Sequence, residues 1–133
     1  MGQQQLLLII LSVIIVGIAT AVGLSLFTAQ AIEANKDAII NDISNLASNA
    51  YQFRIRPISM GGGGNSYLGS NGAIYTIPIR LRSDENGTYS VTVTANFIVI
   101  TAVSAQNPTN TVTITIGSDG RPSSTWSYGG DFQ

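Results

Sequence analysis

The feature that most constrains this chain is its uncharged beginning. No charged residue precedes Glu33, and everything from Leu6 to Phe27 is apolar or small, interrupted only by Ser12, Gly17, Thr20, Gly23 and Ser25. A run of about 22 such residues rises about 33 Å as a helix, enough to cross the hydrocarbon core of a bilayer. The remaining residues, about 100 of them, are polar enough for one soluble domain. Two small-x-small patterns, Ala19-Thr20-Ala21 and Ala29-Gln30-Ala31, would permit signal-peptidase cleavage. Against removal, Met1-Gly2-Gln3-Gln4-Gln5 carries no basic residue, and the run exceeds the usual signal core of about 7–15 residues. The apolar run is therefore expected to stay in the mature protein.

Helical spacing does not stop where the apolar run stops. Ile32, Ile39, Ile40, Ile43, Leu46, Ala47, Ala50 and Phe53 recur at intervals of three, four and seven, the pattern of an amphipathic helix. Asn35, Lys36, Asn41, Asp42, Asn45, Ser48 and Asn49 fall to the opposite, polar face. No proline or glycine intervenes after Gly23, so one helix is predicted from about Gln3 to Phe53, about 75–80 Å long. Pro57 disfavours helical geometry at Arg56 and should end it. The stretch Met60 to Ser66, with Gly61 to Gly64 in a row, then reads as a flexible connection and hinge.

After Gly72 the period changes to two. Ala73 to Arg82 reads as a half-buried strand with Tyr75, Ile77, Ile79 and Leu81 on one face, and Pro78 suggests an edge or a bulge. Ser83 to Gly87 is a turn. Thr88 to Ser104 is one long β-rich stretch with Tyr89, Val91, Val93, Ala95, Phe97 and Val99 alternating and a bend or bulge expected near Asn96. Thr111 to Ile116 and Ser124 to Tyr128 complete the set, with turns at 106–110 and 118–121. The predicted fold class is α+β: a long N-terminal helix packed on a four-stranded antiparallel meander, each covering the other's apolar face. The expected segments are a tip or short leader at 1–5, an apolar helix at 6–27, an amphipathic continuation at 28–56, a glycine-rich connecting loop at 57–72 and a β head at 73–133.

Composition narrows the function. The net charge is −1 with six basic residues that do not cluster, which argues against nucleic-acid binding. Cysteine is absent, which removes disulfides, thiolate metal sites and covalent haem, and so is histidine, the commonest general base and metal ligand. Gly61 to Gly64 follow a helix rather than a strand and lack a following lysine, unlike a phosphate loop. Asp84-Glu85 and Asp119 read as turn residues, without the alternating ligands of a calcium loop. No catalytic, cofactor-binding or metal-binding residue is expected. Asn86-Gly87-Thr88 matches the acceptor pattern for N-glycosylation, which makes Asn86 a candidate glycan site.

An apolar helix, an amphipathic continuation, a loop and an antiparallel head, in that order, resemble the type IV pilin family, pseudopilins included. In that resemblance Met1-Gly2 corresponds to a very short leader, with Gly2 and Gln3 as the candidate processing site. The leader has no lysine or arginine, and cleavage after Gly2 would put Leu7 at the fifth position, where the family usually carries a glutamate. The resemblance assigns a membrane span that later becomes a filament core to Leu6, Leu7, Leu8, Ile9, Ile10, Leu11, Ile14, Ile15, Val16, Gly17, Ile18, Val22, Gly23, Leu24, Leu26 and Phe27. Gly17 and Gly23 read as close-packing positions between helices, or as weak points where the helix loosens in a compressed filament, since glycine costs about 1 kcal/mol relative to alanine. It implies a non-enzymatic structural subunit of a cell-surface filament. The implied partners are further copies of the chain in a helical homopolymer, the inner-membrane pilus assembly machinery, and the membrane itself before assembly. Two other readings stay open: a pseudopilin or single-pass anchored protein whose head binds a partner at the surface, and a secreted β domain released by signal peptidase.

Overall fold

The computed structural model describes residues 2–133, so Met1 of the expected leader lies outside the described residues. One helix, α1, runs from Gly2 to Ile55, 54 residues. Its end is set by Pro57, whose ring fixes φ at −58° and whose nitrogen has no hydrogen to donate. The chain divides into two compact units, Met1–Ala34 and Asn35–Gln133. The described residues of the first are helix alone, and from Gly2 to Gln30 every side chain is exposed.

The second unit holds the rest of α1 and four strands, β1 (Gly87–Val93), β2 (Ile98–Ser104), β3 (Thr111–Ile116) and β4 (Ser127–Gly129). They form an antiparallel sheet in the order β1-β2-β3-β4. Cross-strand register places Tyr89 beside Ala102, Val112 and Tyr128, then Val91 beside Ile100 and Ile114, then Val93 beside Ile98 and Ile116. These rungs make the inner face. Ile39, Ile43, Leu46, Ala47 and Ala50 of α1 supply the opposing buried stripe. Each fully buried isoleucine contributes about 1.5–3 kcal/mol relative to exposure, so the stripe and the rungs are the main source of the unit's stability. The outer face carries Thr88, Ser90, Thr92, Thr101, Thr111, Thr113 and Thr115, β-branched or small hydroxyl residues suited to a strand face in water.

The α+β class, the long helix and the four antiparallel strands stand as expected, but the strands are drawn from different residues. Ala73 to Arg82 is not a strand. Tyr75 and Ile77 are buried as the alternation requires, and then Pro78 opens a 3-10 turn, Ile79–Leu81, that leaves Ile79 83 % exposed. Thr88 to Ser104 is not one bent strand but the hairpin β1–β2. The Thr94 N–H donates to the Phe97 carbonyl at 2.9 Å, and the Thr94 hydroxyl donates to the same oxygen at 2.6 Å. This reversal resets the side-chain phase. Phe97, expected on the same face as Tyr89, is 44 % exposed, while Ile98 and Ile100 are buried. The last strand covers Ser127–Gly129 rather than Ser124 to Tyr128.

The glycine run also differs from a free hinge. The amides of Gly63, Gly64 and Asn65 donate to the carbonyls of Phe53, Arg56 and Arg54 at 2.8, 3.0 and 2.7 Å. These are carbonyls at the end of α1 that would otherwise lack partners. A Cβ on Gly63 would collide with the Ser66 carbonyl, and Gly61 takes φ +74°. Glycine is required here for close approach and left-handed backbone, and the loop is folded onto the helix end.

Candidate self-association surface on the N-terminal helix

A helix that is apolar on every side has no face to give to water. In α1 the predicted core residues from Leu6 to Phe27 are all exposed, and none of the stretch best suited to a membrane is buried. Among the described residues this is the one helix long and apolar enough to cross a membrane. Four hydroxyls, those of Ser12, Thr20, Ser25 and Thr28, fall within or beside the run, and three of them are satisfied within the helix. Ser12, Thr20 and Thr28 donate to the carbonyls of Leu8, Val16 and Leu24 at 2.7, 2.7 and 2.9 Å. The surface therefore offers hydrocarbon with no unmet polar side chain from these three. A Cβ placed on Gly17 or Gly23 would meet nothing within 4 Å, so both are shallow points on the helix surface, open to a neighbouring helix. Gly2 and Gln3, the candidate processing pair, lie exposed in the first turn.

In the second unit, polar residues of α1 hold the head. Asn35, placed by spacing on the solvent face, is 6 % exposed and belongs to the buried stripe. Its amide donates to the Asn86 carbonyl at 3.2 Å and its side-chain oxygen accepts from the Ser104 hydroxyl at 2.6 Å. Asp42 accepts from the Asn86 amide at 2.8 Å and from the Tyr89 hydroxyl at 2.7 Å. Burial first, and then the hydrogen bond to Asp42, push the Tyr89 phenol well above its usual pKa. The nitrogen of Asn86 that a glycan would occupy is thus already donated to Asp42. Asn49 accepts from the Tyr75 hydroxyl at 3.0 Å, and burial pushes the pKa of Tyr75 up to about 12. The Lys36 ammonium sits 4.2 Å from the centre of the Tyr128 ring.

Arg54 is 8 % exposed, donates to the Asn65 side chain at 2.8 Å and lies 5.5 Å from the Tyr67 ring centre. Its position in the last turn of α1 sets its charge against the negative end of the helix dipole. Sequence spacing missed Asn35 as a buried residue. The signal was available: Asn35, Ile39, Ile43, Leu46, Ala50 and Arg54 continue one stripe at intervals of three and four, with a polar residue at each end.

Among the described residues no three His, Cys, Asp or Glu side chains converge to hold a metal ion. Comparison with protein-family models, with curated proteins and with solved structures found no match.

Proposed function

We propose that this chain is a structural subunit of a type IV pilus-like extracellular filament, and that it polymerises through Leu6 to Phe27. The observation that carries the reading is the unbroken helix. A fully exposed, uncharged stretch of membrane-spanning length continues without a break into the helix whose apolar stripe is buried in the folded head. A plain anchor needs only the first part. A subunit that must line up many copies side by side is served by both.

Before assembly the apolar run rests in the membrane. Moving it from lipid into a bundle of identical helices gains little hydrophobic energy, because lipid is already apolar. Packing at the open positions Gly17 and Gly23 then has to hold the bundle, and membrane-resident assembly machinery has to extract the subunit. The chain brings no catalytic group to the process. Its role is mechanical, and the filament places the head at the cell surface.

Electron microscopy of sheared surface material, with an antibody against the head, tests this directly. Labelled filaments are the expected result. If the head is found only in the membrane fraction, the chain is a single-pass anchored protein. A mature N-terminus at Val22 or Ile32 would instead make it a secreted β domain.

A further inference from the structure

Strand β1 lies at an edge of the sheet. The Thr94–Phe97 bond fixes which of its main-chain groups face β2: those of Thr92, Ser90 and Thr88 do, so those of Tyr89, Val91 and Val93 point to the free edge. The segment from Tyr67 to Arg82 runs past this edge and is tied to it at both ends. At one end the Tyr67 N–H donates to the Ala95 carbonyl at 3.1 Å; at the other the Tyr89 N–H donates to the Arg82 carbonyl at 2.7 Å, and Ser83 bridges to Thr88. Between the ties, among the described residues, no main-chain hydrogen bond reaches the outward groups of Val91 or Val93. The segment stands away there and leaves an open groove of about 540 Å³. Leu68, Ile74 and Ile77 form one wall, Val91 and Val93 the other, and Arg82 also lines it.

From this we infer that the groove binds an extended polypeptide segment of a partner protein, paired main chain to main chain with β1 across Val91 and Val93, between the two ties. Edge strands recruit such segments through main-chain hydrogen bonds, with alternate side chains read by pockets. Here Val91 and Val93 supply the main-chain pairing, and Leu68 and Ile74 receive apolar side chains two positions apart. Arg82 specifies the charge. Its Nε is committed to the Ile77 carbonyl at 3.0 Å, which leaves its terminal N–H groups for a carboxylate on the incoming strand. The described strands of this chain are already paired in the sheet, and its C-terminal turn is folded with Phe132 buried, so a second copy has no free strand among these elements to donate. The inference concerns the head alone and does not depend on the filament reading.

The test is selection from a random heptapeptide display library on the full-length chain in detergent micelles, counter-selected on an Ile74→Asp protein. Ile74 is exposed, so that change leaves the core intact. The expected outcome is enrichment of sequences with alternating apolar residues and a terminal acidic residue. A peptide made from that consensus should shift the Val91 and Val93 amide resonances saturably. Arg82→Ala should weaken it about tenfold, one charge-assisted contact's worth, and proline at its central position should abolish binding. No enrichment, enrichment indifferent to Ile74→Asp, or equal binding of the proline peptide would each overturn the proposal.

Discussion

The two stretches of α1 differ in what completes them. From Asn35 onward the helix is amphipathic, and its apolar stripe is covered by strands of the same chain. From Leu6 to Phe27 it is apolar all round and nothing in its own unit covers it. The same secondary structure is thus used once as a folding element and once as a surface waiting for a different solvent. Substitutions should affect the two stretches in different currencies, assembly for one and stability for the other.

The largest effect is expected at the apolar stretch. Ile14→Asp costs about 2.5–3.5 kcal/mol on insertion, which so apolar a segment tolerates. A packed helix bundle repeats that charge in every subunit and offers less room for water to reach it. Filaments should be lost while the protein stays in the membrane fraction, as read by fractionation and electron microscopy. Gly17→Leu should also impair assembly, by crowding, with insertion unchanged. Normal filaments from both variants would remove this stretch from the filament core.

The head should respond the opposite way. Ile43→Ala empties a fully buried position and should lower stability by about 2–5 kcal/mol, measured by urea unfolding of the full chain in micelles. Ile14→Ala should move the same transition by less than about 0.5 kcal/mol. Comparable losses from the two would erase the distinction between the stretches.

A smaller loss is expected at the polar ties. Asp42→Ala leaves the Asn86 amide without its acceptor and the Tyr89 hydroxyl with only Asp84 at 3.4 Å, and should cost about 1–3 kcal/mol. Smallest is the contribution of Tyr75. Its pKa is raised from 10.0 to about 12 in the folded head, so at high pH the unfolded chain loses this proton first. The stabilisation is complete below pH 10 and is lost as pH rises through about 12. Tyr75→Phe should flatten that part of the alkaline unfolding profile.

Long-range periodicity made the helix readable. Fifty residues of consistent spacing, closed by Pro57, left little freedom, and the observed end at Ile55 follows. The strands were readable as material but not as boundaries. Thr94 to Phe97 contains neither glycine nor proline, so nothing in the local sequence separates a reversal from a bend. The reversal is set by the Thr94 side chain and by the fit of Ile98 under α1. Ile79 and Leu81 continue the alternation of Tyr75 and Ile77 on paper, but Pro78 interrupts it in space. In the glycine run, composition suggested looseness, whereas the conformation answers the unpaired carbonyls at the helix end. The apolar surface was legible residue by residue. The edge groove was not, because it depends on where Tyr67 and Arg82 are tied.

Strand order has a kinetic consequence. Each strand pairs with the next one along the chain, so sheet formation asks only for short loops to close, and such local topologies fold quickly. The distant closures include the docking of the stripe around Ile43 onto the strands, with Asn35 and Asp42 joining Asn86 and Ser104 across it, and the tie of Tyr67 to Ala95 and Gly117. A preformed sheet presents that whole face at once. A sheet that forms first keeps its apolar face open until α1 docks, so the delay before docking sets how long an aggregation-prone surface is exposed.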